Sequence, residues 1–327
     1  MTITGDRATV ASGQSDLDTA ARAYARLGLL REQGLPFPSD WNGRHPYVAD
    51  YLGPLGRTTP LQLGDPSHYS SAQADADLIR AVRRFHAEAD GQPLGEAKVV
   101  VGSGATQLLA TVAAWLHVTG VRSVFYQPPM HYTTAGLFRQ FGITPYRLGT
   151  RHLHEAGAEL ALPAERAVLF LADPIWYAGR RVPARFVDRI RDWQLATGSL
   201  VVVDGTFGYL GWDSPAERCA GLVADRTVRL VCPTKSLSMH GFRFAYLLAP
   251  RSLVPALLAI LDTNHGTTSL WDREFGRRAV AVLRTPERNL GLLADARERF
   301  ARITAEGLVA DAVPPETGYF AFVRPAR

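Results

Sequence analysis

The chain has 327 residues, 46% hydrophobic and 20% charged, a balance that excludes wholesale disorder and suits one large α/β domain plus a smaller one. The net charge is +5, but the arginines are scattered along the chain, so no nucleic-acid partner is expected. No apolar run approaches the ~20 residues that cross a bilayer, and the polar N-terminus lacks the apolar core of a signal peptide. We therefore expect a cytoplasmic protein with no membrane partner.

Helices and strands are predicted to alternate along most of the chain. Residues 1–50 are predicted to be an irregular lead-in with one short helix, Asp16–Glu32, and regular elements begin near residue 75. Runs of Val, Leu and Ile then predict buried strands, in chain order Lys98–Val101, Val121–Tyr126, Ile143–Leu148, Ala167–Ala172, Leu200–Asp204, Val228–Cys232 and Phe244–Ala249. Apolar residues at helical spacing predict helices over Ala76–Ala89, Thr106–His117, Tyr132–Phe141 and Ala184–Ala196.

This alternation predicts the fold class. Continuous Val/Leu strands separated by helices are typical of an α/β fold with a mostly parallel sheet covered by helices on both faces. After Arg251 the strand pattern gives way to two or three helices and one short strand, Tyr319–Val323. We therefore expect a large domain over residues 50–262 and a reduced small domain built from residues 1–49 and 263–327.

A glycine-rich segment, Val101-Gly-Ser-Gly-Ala-Thr-Gln107, lies between a predicted strand and an apolar helix. This arrangement gathers backbone N–H groups at a helix N-terminus, which favours binding of an anion. A dinucleotide-binding loop would have a third glycine at Gln107 and an acidic residue about 20 positions later, and the sequence has neither. The segment therefore predicts a phosphate site, although alone it also fits a tight turn between a strand and a helix.

Two ionisable residues follow predicted strands. Asp204 ends its strand at the sheet edge where open α/β sheets bind ligands, although an aspartate there can also cap a turn. Lys235 directly follows a hydrophobic strand, where a partly buried amine is costly unless it is paired or functional. The only other lysine, Lys98, is expected in solvent. Lys235 is therefore the one candidate for an amine nucleophile.

Together with Arg243, these residues match the inventory of a pyridoxal 5′-phosphate (PLP) site: an amine, a carboxylate for the pyridine nitrogen and an anion cradle for the phosphate. The sequence also resembles the fold type I PLP enzymes of the aspartate aminotransferase superfamily, and is nearest to the alliinase and tryptophan–pyruvate aminotransferase branch. The resemblance runs from about Gly64 to Ala249. It rests on Leu78-Ile-Arg-Ala-Val-Arg-Arg-Phe-His86, on Val99-Val-Val-Gly-Ser-Gly-Ala-Thr-Gln-Leu-Leu109 and on a weaker match at Pro315-Glu-Thr-Gly-Tyr-Phe320.

The resemblance implies a role for each of these residues and a large domain that binds PLP. Lys235 would hold the cofactor as a Schiff base and later move the α-proton of the substrate. Asp204 would pair with the protonated pyridine nitrogen, which keeps the ring an electron sink. The phosphate would be bound by Ser103, Gly104, Ala105, Thr106 and Arg243.

Two aromatic positions of the family are also implied. One ring stacks on the cofactor, and His131 stands at that position, with Tyr132 as the alternate. Tyr69 stands where a tyrosine reaches the phosphate of the neighbouring subunit, which implies a homodimer.

The sequence departs from the family pattern in three places. The family's Asn-Pro-x-Gly segment, whose asparagine bonds the 3′ oxygen of the cofactor, is replaced by a segment in which Trp176 or Asp173 takes that position. Phe207 replaces the tyrosine that helps the same oxygen, so we expect a raised pKa of the Schiff base. The C-terminal strand and helix that carry the arginine for the substrate carboxylate have no evident counterpart before Arg327, which implies a shortened C-terminal domain.

Several residues stay open as candidates. The missing arginine could be replaced by Arg57, Arg180, Arg181 or Arg324, although a surface position is the simpler interpretation of each. His240 could move protons or could simply pack near Lys235. His152 and His154 lack partners at metal spacing, so we expect no metal.

The resemblance implies an enzyme that acts on a small-molecule amino acid or amine through a Lys235 aldimine and a quinonoid carbanion, with aminotransfer as the first expectation. The altered ring contacts leave β- or γ-elimination or replacement, as in C–S lyases or cyclising enzymes of specialised biosynthesis, as the alternative. A non-catalytic binding protein is disfavoured because Lys235 and Asp204 are both present. The interpretation as a nucleotide-binding dehydrogenase is supported by the glycine loop alone.

Overall fold

The structure of the protein is a computed structural model. It describes residues 22, 67, 69, 71–91, 94, 98–213, 216–237, 239–284, 290–310, 313–318 and 320–326. The helix predicted over Asp16–Glu32 and the candidate Arg57 lie outside these ranges.

A seven-stranded sheet forms the centre of the fold. Its strands are β1 (Lys98–Gly102), β2 (Ser123–Tyr126), β3 (Thr144–Arg147), β4 (Val168–Ala172), β5 (Leu200–Gly205), β6 (Thr227–Val231) and β7 (Ala245–Ala249). The spatial order is β1-β7-β6-β5-β4-β2-β3. Only β7 runs antiparallel to its neighbours within this sheet, so the prediction of a mostly parallel α/β sheet is confirmed.

Helices connect the strands and cover the sheet. They are α1 (Ala76–Ala89), α2 (Ala105–Val118), α3 (Tyr132–Gln140), α4 (Ala184–Thr197), α5 (Pro233–Ser236), α6 (Val254–His265), α7 (Leu270–Leu283) and α8 (Leu290–Ala305). The first is capped by Asp75, whose carboxylate accepts the Leu78 N–H at 2.9 Å. Its buried residues Leu78, Val82 and Phe85 recur at helical spacing and turn one face to the sheet.

Alternation along the strands divides the core into clusters on the two faces of the sheet. In β7, Leu247 packs into the cluster formed with α2, α3 and α6, whereas Tyr246 and Leu248 pack into the cluster formed with α1 and α7. In β5, Val202 faces the first cluster, and its neighbours face a third cluster with α4. Because both faces are covered, the strands are hydrophobic throughout, as the sequence showed.

The C-terminal part differs in detail from the sequence prediction. The strand expected at Tyr319–Val323 is wrong for the four described residues of that range, 320–323. A short pair of strands forms instead from β8 (Val309–Ala310) and β9 (Arg324–Pro325). The physical reason is that Phe320 turns toward the carboxyl edge of the sheet, where it contacts two other rings, so it does not follow the alternation of a strand.

The division into two domains at residue 262 stays a prediction. That position lies within α6, and α7 packs against α1 in one apolar cluster through Phe275, Ala279 and Val280.

A buried polar network lies among α1, β6, β7 and the loop after β5; its members are His86, Asp90, Tyr209, Arg229 and Tyr246. The two ring nitrogens of His86 lie 3.0 Å from Asp90 and 2.9 Å from the hydroxyl of Tyr246. Arg229 donates to Tyr209 at 2.6 Å and to Asp90 at 3.2 Å. Burial raises the pKa of Asp90, but the His86 hydrogen bond and the Arg229 charge outweigh it and bring the pKa to about 2.

Within the part of the chain that the structure describes, no helix combines the length and the hydropathy needed to cross a bilayer.

Candidate active site

A cavity of about 280 Å³ opens at the edge of the sheet where the parallel strands end. Strands β1, β4, β5 and β6 run in the same direction, so the loops that follow them meet at this edge. The cavity is lined by Ala105, Thr106, Leu109, His131, Tyr132, Thr133, Thr134, Pro174, Trp176, Asp204, Thr206, Phe207, Cys232, Thr234, Lys235, Arg243 and Phe320.

Lys235 enters the cavity from the short helix α5, which directly follows β6. The Cys232 carbonyl accepts the Lys235 N–H at 3.0 Å, which fixes the turn that presents the side chain. Burial lowers the pKa of the Lys235 amine, and the charge of Arg243 lowers it further against an opposing contribution from Cys232. The site therefore enriches the neutral amine, which is the nucleophilic form.

Arg243 lies against the glycine loop at the start of α2. Gly104 has φ +97°, and a Cβ there would lie 2.7 Å from Arg243 Nη2 and 3.0 Å from its Cζ. A side chain at this position would therefore displace the guanidinium as well as strain the backbone. The arrangement brings a fixed positive charge to the N–H groups of a helix N-terminus, a combination suited to a phosphate group.

Asp204 lies near the end of β5 and is oriented by the residue two positions later. Its Oδ1 accepts both the backbone N–H of Thr206 at 3.1 Å and the Thr206 hydroxyl at 2.5 Å. Because both donors use Oδ1, the carboxylate is held in one rotamer while it lines the cavity.

His131 and Tyr132 both line the cavity at the start of α3. The Nδ1 of His131 accepts the Thr133 N–H at 3.3 Å, so this histidine caps the helix. Burial lowers its pKa, and Lys235 lowers it further against the opposing effect of Asp204. The lowered pKa favours the neutral imidazole, and the choice between His131 and Tyr132 as the stacking residue stays open.

Three aromatic rings form one wall of the cavity. Trp176 and Phe207 are stacked with centroids 6.0 Å apart. Phe320 meets both of them edge-on, at 5.9 and 5.7 Å. Lys235 Nζ lies 5.8 Å from the centroid of Phe207, so the amine is next to this aromatic wall.

Most of the residues predicted from sequence are brought together here. The cavity contains Lys235, Asp204, Arg243, Ala105, Thr106, His131, Trp176 and Phe207. Ser103 and Gly104 belong to the same loop without lining the cavity, and the Ser103 N–H donates to the side chain of Gln107.

Two predicted residues lie elsewhere. Asp173 is buried, and its carboxylate accepts the N–H groups of Val182 at 2.9 Å and Cys219 at 3.2 Å; only its neighbour Pro174 lines the cavity. Tyr69 is 99% exposed and makes no part of the cavity wall of its own chain.

Of the arginines considered for a carboxylate, the three that the structure describes do not line the cavity. Arg180 pairs with Glu316 at 3.0 Å, and the Arg181 N–H donates to the same carboxylate at 3.4 Å. Arg324 is exposed in β9. His240 does not line the cavity.

Thr206, Thr234, Cys232 and Phe320 line the cavity and were missed from sequence. A signal existed for the first three, since each lies within three residues of a predicted site residue. Phe320 lies far along the chain from Arg243, the last predicted residue of the cavity, and only the weak family match at Pro315–Phe320 pointed to that segment. Among the described residues, no three His, Cys, Asp or Glu side chains are grouped to hold a metal ion.

The sequence is similar to a known protein family and to curated proteins. Residues 61–325 match the family described as "Aminotransferase class I and II". The arginine–pyruvate transaminase AruH of Pseudomonas aeruginosa is 27% identical over 199 residues, which are 58% of this chain and 50% of that protein. The chain thus spans about half the length of this curated relative, and 66% of another.

Two solved structures show the same fold. Apo-BacF from Bacillus subtilis superposes with a TM-score of 0.72 at 17% identity, covering 92% of this chain and 79% of that one. The N-succinyldiaminopimelate aminotransferase of Mycobacterium tuberculosis gives a TM-score of 0.63 at 19% identity, covering 89% and 81%. At these identities the likeness concerns the fold alone.

Proposed function

Since the chain belongs to the aminotransferase class I and II family, whose members depend on PLP, we propose that it is a PLP-dependent aminotransferase acting on a small amino compound. The observation that carries the proposal is the position of Lys235, an amine with a lowered pKa that lines the same cavity as Asp204 and Arg243.

The residues present fit PLP. Arg243 lies over Gly104 so closely that a Cβ would fill the space between them, which gives the phosphate a cradle of one guanidinium and the N–H groups that begin α2. Ser103, Ala105 and Thr106 belong to that cradle in the proposal. Asp204, held through Oδ1, would turn Oδ2 to the pyridine nitrogen.

PLP supplies an aldehyde for covalent attachment of amines and a ring that withdraws electrons. The chain supplies positioning and proton transfer. Lys235 is the residue that would hold the cofactor at its aldehyde, with loss of water, and its amine would accept the proton from the substrate carbon that bears the amino group. His131 or Tyr132 would pack on the ring, and Trp176 and Phe207 would form the cavity wall beside it. Asp173 stays a proposed contact to the 3′ oxygen only through a rotation that would break its two backbone hydrogen bonds.

The experiment is spectroscopic. The purified protein with added PLP should absorb in the visible range, and an amino donor should convert this absorption to that of the aminated cofactor. A 2-oxo acid should then restore the first spectrum. Absence of visible absorption from the protein after unbound PLP has been removed by gel filtration would contradict the proposal. Release of ammonia without recovery of an aminated cofactor would replace aminotransfer by elimination, the alternative that the missing phenol at Phe207 keeps open.

We propose further that the protein forms a homodimer. The support is Tyr69, a large aromatic residue that is 99% exposed in the single chain. Sedimentation velocity should give twice the monomer mass, and Tyr69→Phe should weaken PLP binding without changing that mass. A monomer that binds PLP as tightly as the dimer would exclude the role of Tyr69.

A further inference from the structure

A continuous series of aromatic rings begins beside Lys235. Phe207 is its first ring, with Lys235 Nζ 5.8 Å from the centroid. Trp176 stacks on Phe207, and Phe320 meets both edge-on. All three line the cavity that Lys235 also lines.

The series continues from the cavity to the surface. Tyr177 meets Trp176 edge-on at 5.7 Å, and Phe322 meets Tyr177 edge-on at 5.6 Å. The side chain of Phe322 is 66% exposed. We call these five residues, Phe207, Trp176, Phe320, Tyr177 and Phe322, the aromatic run.

The aromatic run carries no charge along its length. The hydroxyl of Tyr177 is hydrogen-bonded to His152 Nδ1, and burial raises the pKa of that phenol, so it stays neutral. Arg180 follows Tyr177 by three residues, but its guanidinium pairs with Glu316 and donates to the Pro314 carbonyl. The charged groups of the cavity, Asp204 and Arg243, belong to the proposed cofactor contacts.

We propose that the aromatic run binds an extended apolar arm of the amino substrate, with an aromatic ring as its best fit. The amine reaches Lys235, and the arm follows the rings outward until it covers Phe322. This assignment rests on the proposed function, because it takes Lys235 as the point where the amine reacts. Edge-on and offset ring contacts favour a planar arm over an aliphatic one of equal area.

The test compares ligands that share a head group and differ in the length of the arm. The protein loaded with PLP is titrated with L-alanine, L-phenylalanine and 4-phenyl-L-phenylalanine, and apparent Kd values are taken from the visible absorption change. Each added ring should tighten binding about tenfold, the value of one aromatic contact with its buried area. Equal affinity for L-alanine and the two-ring compound would overturn the inference.

Two matched variants locate the effect. Phe322→Ala should remove most of the gain from the second ring, because only the outer end of the arm reaches this position. Leu195→Ala is the control, since Leu195 is similarly exposed, at 61%, but lies on α4 and outside the aromatic run. Identical Kd values for the two variants with the two-ring compound would exclude Phe322 from the binding surface and overturn the assignment.

The two proposals fail separately. If borohydride fixes no cofactor on Lys235, the proposed function fails. If Lys235 is labelled and the ligands show no preference for length, only the aromatic run loses its role.

Discussion

Charged side chains are buried in one region of this chain and line an open cavity in another, and the two regions use them differently. In the buried polar network, Asp90 lies within 3.2 Å of His86, Tyr209 and Arg229, so every charge is matched inside the fold. In the active-site cavity, Lys235 and Arg243 line a space of about 280 Å³. The amine there has a lowered pKa, and the guanidinium lies against a glycine backbone.

The two regions show that some charged side chains stabilise the fold, whereas others are placed to bind a ligand. A fully matched buried network stabilises one arrangement of the elements that meet in it, because removing any member leaves its partners unsatisfied. Cations that line a cavity, by contrast, lie where a bound ligand can contact them. Substitutions in the network should therefore change stability, and substitutions in the cavity should change ligand binding.

The largest effect is expected from substitution of the cavity lysine. Lys235→Ala should abolish covalent attachment of PLP and lower aminotransfer by about a thousandfold or more, because the nucleophile and proton acceptor are lost. Stability should change little, since the amine is not part of the matched network. Lys98→Arg is the control, because Lys98 begins β1 at the opposite end of the strand from the cavity. Activity is measured with PLP in excess, and retention of activity in Lys235→Ala would end the account.

The next largest effect is expected from a substitution in the buried polar network. Asp90→Asn removes the carboxylate that pairs with Arg229 and His86, and should cost about 3 kcal/mol in the free energy of unfolding. Asp77→Asn, on the exposed face of the same helix, should cost less than about 0.5 kcal/mol. Urea unfolding of both variants checks the difference.

The pH dependence of this contribution has a defined sign. The folded pKa of Asp90, about 2, lies below its ordinary value of 3.8. Its stabilisation is therefore complete above about pH 4 and is lost as the pH falls through about 2. A network that stabilises equally at pH 2 and pH 5 would contradict the matched arrangement.

Glu217 contacts the loop that carries residues of both regions. Its carboxylate accepts the N–H of Tyr209, two residues after Phe207. Burial raises its pKa to about 8, and the charge of Asp173 adds to the effect. Because the folded pKa lies above the ordinary value, the contribution of Glu217 to the free energy of unfolding should be highest below about pH 4.5. It should fall as the pH rises to about 8.

Glu217→Gln keeps the acceptor and removes the ionisation. The Tm of the wild type relative to this variant should fall between about pH 5 and pH 8 and then level off. A constant difference over that range would show that Glu217 is ionised throughout.

The smallest effect concerns the cofactor ring. Phe207→Tyr would place a phenol beside the bound cofactor, where it would favour the deprotonated form by donating a hydrogen bond to the ring oxygen. The pH midpoint of the visible absorption change should fall by about one unit, or about 1.4 kcal/mol. Phe320→Tyr, on the same wall, should shift the midpoint less. Equal shifts in the two variants would show that Phe207 is not next to that oxygen.

The sequence predicted what depends on local order along the chain. Lys235, Asp204 and the Gly102–Gly104 loop each directly follow or end a hydrophobic strand, and parallel strands must end at one edge of the sheet. Their shared position could therefore be deduced without knowing the packing.

Contacts between distant segments could not be deduced in this way. Trp176 and Asp173 were both candidates for one contact, and the sequence could not show that the Val182 and Cys219 backbones bond to Asp173 in the folded chain. Phe320 looked like part of a strand because it lies in a continuous apolar run, whereas packing against Trp176 decides its direction. In the buried polar network, His86 and Asp90 lie one turn apart on the sequence, but their partners arrive from other elements.

The central claim is that Lys235 is the amine of this site. The most direct test is to load the protein with PLP, reduce it with borohydride, digest it and map the pyridoxyl group by mass spectrometry. With two lysines in the chain, the account predicts complete labelling of the peptide that contains Lys235 and none of the peptide that contains Lys98. Labelling of Lys98, or of neither lysine at saturating PLP, would contradict it.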